Sequence, residues 1–256
     1  MAHFAELIGL ATVMGLAIFL SLPLVLRRSR TARLVNLLSA AAIGILIFLL
    51  ADVWGNVSAI LYPGGAFVAD PSLMAIFVVG VLGAFFVLFS LEHASRGTRG
   101  PGEVSATTTA LVVALAIGFQ NLTEGMVLGA SWAAGLSGLL AVLFAGFFLQ
   151  NVTEGFPIAG PLLGTPERRA GLFSAYFLLG GAPTVLGAGV GYYWTSNALT
   201  VGFDALAIGT CLYAIIPMFR VAFRPAADAV ESALRTRLTY VGIGLGFVLG
   251  LVVNAL

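Results

Sequence analysis

The chain has 256 residues, 60% hydrophobic and only 9% charged, with a mean hydropathy of +1.06. A soluble domain carries about a quarter charged residues, so this composition is that of an integral membrane protein, with the whole of 1–256 read as one transmembrane domain. A net charge of +1, with no basic run interleaved with aromatics, excludes a nucleic-acid partner, and the single cysteine, Cys211, excludes an internal disulfide and a Cys-based metal cluster.

A hydrocarbon core of about 30 Å takes about 20 apolar residues per helix. Eight segments meet that need: 4–26, 34–55, 71–92, 105–131, 136–163, 169–194, 200–222 and 237–256. The runs are too long and too uniform for the alternating strands of a barrel. The first is expected to be a transmembrane helix and not a cleaved signal, because it lacks a basic leader and arginines follow it. The fourth and fifth are separated only near Ala134-Gly135, which predicts a tight helical hairpin. Pro157, near the end of the fifth, predicts a kink, since proline removes a backbone donor and crowds the Thr153 carbonyl.

All twelve basic residues are arginine. Arg27, Arg28, Arg30 and Arg33 follow the first segment, Arg96 and Arg99 the third, and Arg168 and Arg169 the fifth; Arg220, Arg224, Arg235 and Arg237 fall between the seventh and eighth. The other connections have none. Positive-inside asymmetry places the arginine-bearing loops in the cytoplasm and both termini outside, in what is expected to be the cell (inner) membrane. Trp54, Trp132 and Trp194 fall near the outer ends of segments, as an interfacial aromatic belt requires. Glycines at four-residue spacing, Gly125/Gly129, Gly187/Gly191 and Gly242/Gly246/Gly250, mark close helix contacts; a homodimer face is the alternative use of such a ladder.

Gln120-Asn-Leu-Thr-Glu-Gly125 and Gln150-Asn-Val-Thr-Glu-Gly155 are one hexapeptide written twice inside apolar runs. A carboxylate at the bilayer centre costs roughly 2.5–3.5 kcal/mol on insertion scales. Its repetition with the same polar neighbours points to one site built from two helices. Positions i, i+1 and i+4 project to one side, so Gln120, Asn121 and Glu124 face Gln150, Asn151 and Glu154 across the hairpin. Two carboxylates in low dielectric repel, and a divalent cation or a shared proton resolves that repulsion. Thr123 and Thr153 have a further local option, a hydrogen bond back to the preceding turn. Asp52, Asp70 and Asp204 are expected to be interfacial, solvated carboxylates, with Asp52 and Asp204 as candidates for guarding an entrance. Asn36 is read as an interhelical hydrogen-bonding residue and Cys211 as packing. Little is expected of Glu6 and His3, and His93 lies in the loop from Glu92 to Glu103.

These motifs resemble the ZIP (Zrt/Irt-like) family of divalent metal transporters, which carries His-Asn-x-Pro-Glu-Gly on its fourth helix and a His- or Gln-headed x-x-Pro-Glu-Gly on its fifth. Ala207-Ile-Gly-Thr-Cys-Leu-Tyr213 and Val185-Leu-Gly-Ala188 resemble parts of the family's seventh and sixth helices. The resemblance implies an all-α fold of eight transmembrane helices in a 3+2+3 arrangement, with a central hairpin of helices four and five. It implies transport of zinc, iron, manganese or cadmium into the cytoplasm, with no resident cofactor and no enzymatic activity. It places Gln120, Glu124, Gln150 and Glu154 at the inner metal positions, and Asn121 and Asn151 at an adjacent position sharing both glutamates. Departures are specific. Gln120 replaces the fourth-helix histidine, Thr123 and Thr153 stand at the motif prolines, and Gly180-Gly-Ala-Pro-Thr184 lacks the sixth-helix glutamate. Amide and carboxylate oxygens favour harder cations than imidazole does, so the expectation is a single ion held by both glutamates with reduced zinc preference. A proton-linked carrier or channel for a small polar solute, and a non-transporting metal sensor, are the alternatives.

Overall fold

The computed structural model describes residues 2–27, 32–65, 68–94, 105–135, 137–163, 165–167, 169–194, 196–224 and 228–255. Arg28, Arg30, Arg96, Arg99, Glu103 and Arg168 lie outside them, as do the side chains of His3 and His93. Every regular element among the described residues is helical: α1 (Ala2–Leu16), α2 (Leu22–Leu26), α3 (Ala32–Leu61), α4 (Pro71–Ala94), α5 (Ala106–Ala133), α6 (Ser137–Ala159), α7 (Ala170–Gly181), α8 (Pro183–Tyr193), α9 (Asn197–Ala222) and α10 (Ala229–Asn254). Short 3-10 turns join α1 to α2 and extend α6. Seven stretches among the described residues are long and apolar enough to cross a membrane: Phe4–Leu26, Ala32–Leu61, Pro71–Ser90, Ala106–Ala133, Ala170–Tyr193, Asn197–Ala222 and Ala229–Val253. The architecture is that of an α-helical membrane protein.

Local chemistry sets the ends. Asp70, expected to be an interfacial, solvated carboxylate, accepts from the Ser72 and Leu73 amides and so caps α4. Ser105 caps α5 by accepting from Thr108 N at 3.1 Å. Gly135, at φ 70°, supplies the left-handed residue that ends α5 and turns the chain into α6. The eighth segment begins eight residues earlier than its apolar run, at Ala229, because Asp228 caps it and its first two turns are amphipathic. The sixth segment is divided at Ala182, where Pro183 opens α8 without an N–H to donate. Pro157 lies within α6, which runs on to Ala159 before tightening into a 3-10 turn at Gly160–Leu162.

The helices pack in two groups. In the first, α5 lies against α6, α7 and α8, with α1 and its 3-10 extension across α6 and α8. In the second, α3 packs on α10 and α9, and α4 on α9. The groups meet mainly where α5 crosses α9 and where α3 and α10 touch α6. α5 is the most enclosed of the seven stretches and α4 the least, 72% against 6% buried, so polar residues on α5 face protein while α4 presents Val79, Phe86 and Val87 to lipid. The glycine ladders are filled within the chain. A Cβ on Gly125 or Gly129 would strike the Thr184 or Ala188 carbonyl of α8, and one on Gly187 or Gly191 would strike the Leu122 or Met126 carbonyl of α5. Gly242 and Gly246 meet the α3 backbone at the Leu37 and Ala41 carbonyls, and Gly250 meets the Phe48 side chain of α3, so these ladders serve internal packing.

Candidate functional site

The duplicated hexapeptide folds into one buried cluster. Antiparallel α5 and α6 bring the repeats level, and Asn121 Nδ2 donates to Asn151 Oδ1 at 3.1 Å across the thirty-residue offset. All six predicted residues are buried; Asn121, Asn151 and Glu154 are fully so.

Amide nitrogens converge on the carboxylates. Glu124 Oε1 accepts from Gln150 Nε2 at 2.7 Å and from Gln120 Nε2 at 3.2 Å. Glu154 Oε2 accepts from Asn121 Nδ2 at 2.7 Å, and its Oε1 stands 3.5 Å from Gln150 Nε2. The carboxylates are therefore bridged through Gln150. Asn121 Nδ2 has two hydrogens but three acceptors in range, the third being Gly180 O at 3.0 Å. That carbonyl lies just before the α7–α8 break, so the stretch without the sixth-helix glutamate contributes backbone instead.

Oxygen atoms are left over. Gln120 Oε1, Asn121 Oδ1, Glu124 Oε2 and Gln150 Oε1 are buried with no hydrogen-bond partner. A buried acceptor without a donor is costly, and such groups in native proteins are explained by water, an ion or function. Three of them are amide oxygens and one belongs to the Glu124 carboxylate, so with Glu154 they form a site rich in oxygen and poor in positive charge. Among the described residues no three His, Cys, Asp or Glu side chains gather into a metal-ligand group. Any cation here would be held by the Glu124 and Glu154 carboxylates supplemented by amide oxygens. The asparagines differ in what they can offer. Asn151 spends its Oδ1 on Asn121 and its Nδ2 on Phe147 O at 2.9 Å, whereas Asn121 keeps a free oxygen. Thr123 and Thr153 donate to the carbonyls three residues back, Gln120 O at 2.7 Å and Gln150 O at 2.8 Å.

Asp204 differs from its sequence reading as a solvated interfacial residue. It is 2% exposed and lies within hydrogen-bonding reach of the Thr123 hydroxyl, adjacent to Glu124. The reason is helical register: α9 starts at Asn197, which carries Asp204 two turns inward. The spacing 204, 207, 208, 211 is a one-face stripe of buried residues, and that stripe was the available signal. Asp52, half-buried on α3, interacts electrostatically with Glu124, Glu154 and Asp204. Carboxylates from the second helix group thus face the pair carried by the first. Cys211 is core packing, and Asn36 bonds across helices to Arg235 O and Thr239 Oγ1, both at 3.2 Å.

No protein-family profile matches the chain, and no curated protein matches it either, so the functional reading rests on the cluster itself.

Proposed function

We propose that the chain is a divalent metal transporter of the ZIP type, carrying its ion through the Glu124–Glu154 cluster into the cytoplasm. One observation carries the reading: inside a membrane helix hairpin two carboxylates are buried together, with Glu124 Oε2 and three amide oxygens beside them left without partners. A dication bound through oxygen offsets both charges, which neither a water nor a single proton does. The ion is substrate and not a resident cofactor. Glu124 and Glu154 are its primary ligands; Gln120, Gln150 and Asn121 supply amide oxygen after rotation of their side chains, while Asn151 orients Asn121.

α6, at 23 residues, is about 34 Å long and serves as the eighth span. The 3+2+3 order, external termini and a cell-membrane location belong to the same proposal, supported by the arginine distribution. The cluster lacks a nucleophile–base pair, so the reading is transport and not catalysis. The facing carboxylates of Asp52, Asp204, Glu124 and Glu154 favour proton linkage as the second reading, since such chains relay protons in carriers.

The test is uptake of zinc, manganese, iron and cadmium into proteoliposomes holding the purified chain. Saturable uptake of at least one ion, lost in Glu124→Gln and Glu154→Gln, supports transport. Binding without uptake supports a sensor. Absence of binding and uptake for all four ions overturns the metal reading.

A further inference from the structure

The arginine-bearing end of the molecule holds a cavity of about 650 Å³, within the range of small-ligand pockets. It lies between the two helix groups. The first turns of α3, α5 and α10 open onto it, as do the C-terminal ends of α6 and α9. Helix N-termini carry partial positive charge and unpaired N–H groups, and helix C-termini carry the reverse. The negative ends are partly neutralised here: Arg235 Nη2 donates to Val221 O at 3.0 Å and Thr239 Oγ1 stands 3.2 Å from Ala222 O, both at the end of α9. Ser105 caps the start of α5 and Asp228 that of α10, so positive charge at the cavity is carried chiefly by side chains.

Two guanidinium groups supply it, Arg33 from α3 and Arg235 from α10, against one carboxylate in the lining, the exposed Glu231, and the exposed Asp228 that caps the same helix. Arg235 is held in place by its bond to Val221 O, and its Nε is buried without an acceptor. A buried guanidinium N–H without an acceptor calls for an anion or water. The other polar donors of the wall are already committed: Asn36 Nδ2 to Arg235 O and Thr239, Ser39 Oγ to Gly160 O, and Thr109 Oγ1 to Ser105 O. The donors left to an incoming group are therefore those of the guanidinium groups, which call for an acceptor.

We propose that this cavity binds a phosphate group, held by Arg33 and Arg235. Guanidinium forks match phosphate oxygens in pairs. The phosphate is that of a lipid headgroup or a soluble phosphate compound; the arginine end of a membrane bundle lies at headgroup level, and the apolar remainder of the wall, including Ile43, Met218 and Leu238, suits an attached alkyl chain. Because both helix groups wall the cavity, a bound phosphate ties them together. The assignment is independent of the metal reading.

The test uses the full chain in detergent, in two arms. In one, inorganic phosphate is titrated by calorimetry; in the other, delipidated protein is given phosphatidylglycerol and its retention is followed by native mass spectrometry. Loss of one charge-assisted contact predicts binding weakened about tenfold in Arg33→Gln and in Arg235→Gln. Arg33 is exposed, so its variant keeps the fold even if Arg235→Gln, which removes the cap on α9, does not. Arg237→Gln, exposed on α10 and outside the lining, leaves binding unchanged. Arginine-dependent binding in the phosphate arm identifies a soluble source, and in the lipid arm alone a headgroup. No binding in either arm, or binding that survives Arg33→Gln, or an equal loss in Arg237→Gln, overturns the proposal.

Discussion

Glu124→Gln isolates charge from shape. The wild-type Oε1 accepts from Gln150 at 2.7 Å and Gln120 at 3.2 Å, and the amide oxygen of the variant accepts both in the same geometry. The change falls on Oε2, which has no partner and is the carboxylate oxygen open to a cation. In the variant an NH₂ group stands there, a donor that cannot ligate a cation. Removing one member of a buried charge pairing costs about 3–5 kcal/mol. At 1.4 kcal/mol per decade this is roughly a hundredfold to a few thousandfold in Kd. The empty protein gains, because a buried anion and its repulsion with Glu154 are gone, so melting without metal should be unchanged or higher. Calorimetric titration with manganese and zinc, beside a metal-free melting curve, reads both quantities. A Kd within about threefold of wild type in a folded variant would refute the ligand assignment. A large drop in metal-free melting temperature would show that the two carboxylates stabilise the fold without a cation.

Gln120→His should raise zinc affinity relative to manganese, since imidazole is a better zinc donor than an amide oxygen; an unchanged ratio in competition binding would mean that residue 120 does not reach the ion. Equilibrium metal affinity should fall as pH is lowered, because a proton and a cation compete for the same carboxylate lone pairs and loading releases protons; affinity flat from about pH 8 to 5 would exclude that competition. Asp204→Asn should leave the fold intact while altering uptake more than affinity at the central cluster, since Asp204 reaches Thr123 and not the ligand oxygens; equal uptake by the variant would confine Asp204 to packing. Gly125→Ala forces a methyl against the Thr184 carbonyl and should destabilise the α5–α8 pairing by roughly 1–3 kcal/mol, measured by detergent denaturation.

Much of this was legible in the sequence, for physical reasons. Apolar runs report helices because lipid leaves a backbone no other way to satisfy its polar groups. The duplicated hexapeptide reported the cluster because helical periodicity alone puts 120, 121 and 124 on one side, and a short connection makes neighbouring helices antiparallel. Hydropathy did not report helix ends fixed by polar chemistry. α10 starts at its Asp228 cap and α3 continues to Leu61, six residues beyond its expected end. Asp204 was misplaced for the same reason: with a start three residues too late, a two-turn depth looks like the membrane surface. The arginine-lined cavity has no linear signature, since its walls come from the ends of five long helices.

The partnerless buried atoms divide by chemistry and by place. Among the described residues, those of the central cluster are oxygens, the amide oxygens of Gln120, Asn121 and Gln150 and one carboxylate oxygen of Glu124; the one lining the arginine-end cavity is a guanidinium N–H, that of Arg235. Thr184 Oγ1, at the α8–α1 contact, belongs to neither. Packing defects would scatter donors and acceptors without regard to the local field. Here the oxygens sit with two carboxylates and the N–H belongs to one of two arginines on one cavity, so each place is unsatisfied in the sense that attracts the opposite ion. An apolar helix bundle of this size could close its core without any of these atoms. Their segregation is the argument that the centre is built for a cation and the arginine end for an anion, and each half of it stands or falls on its own binding measurement.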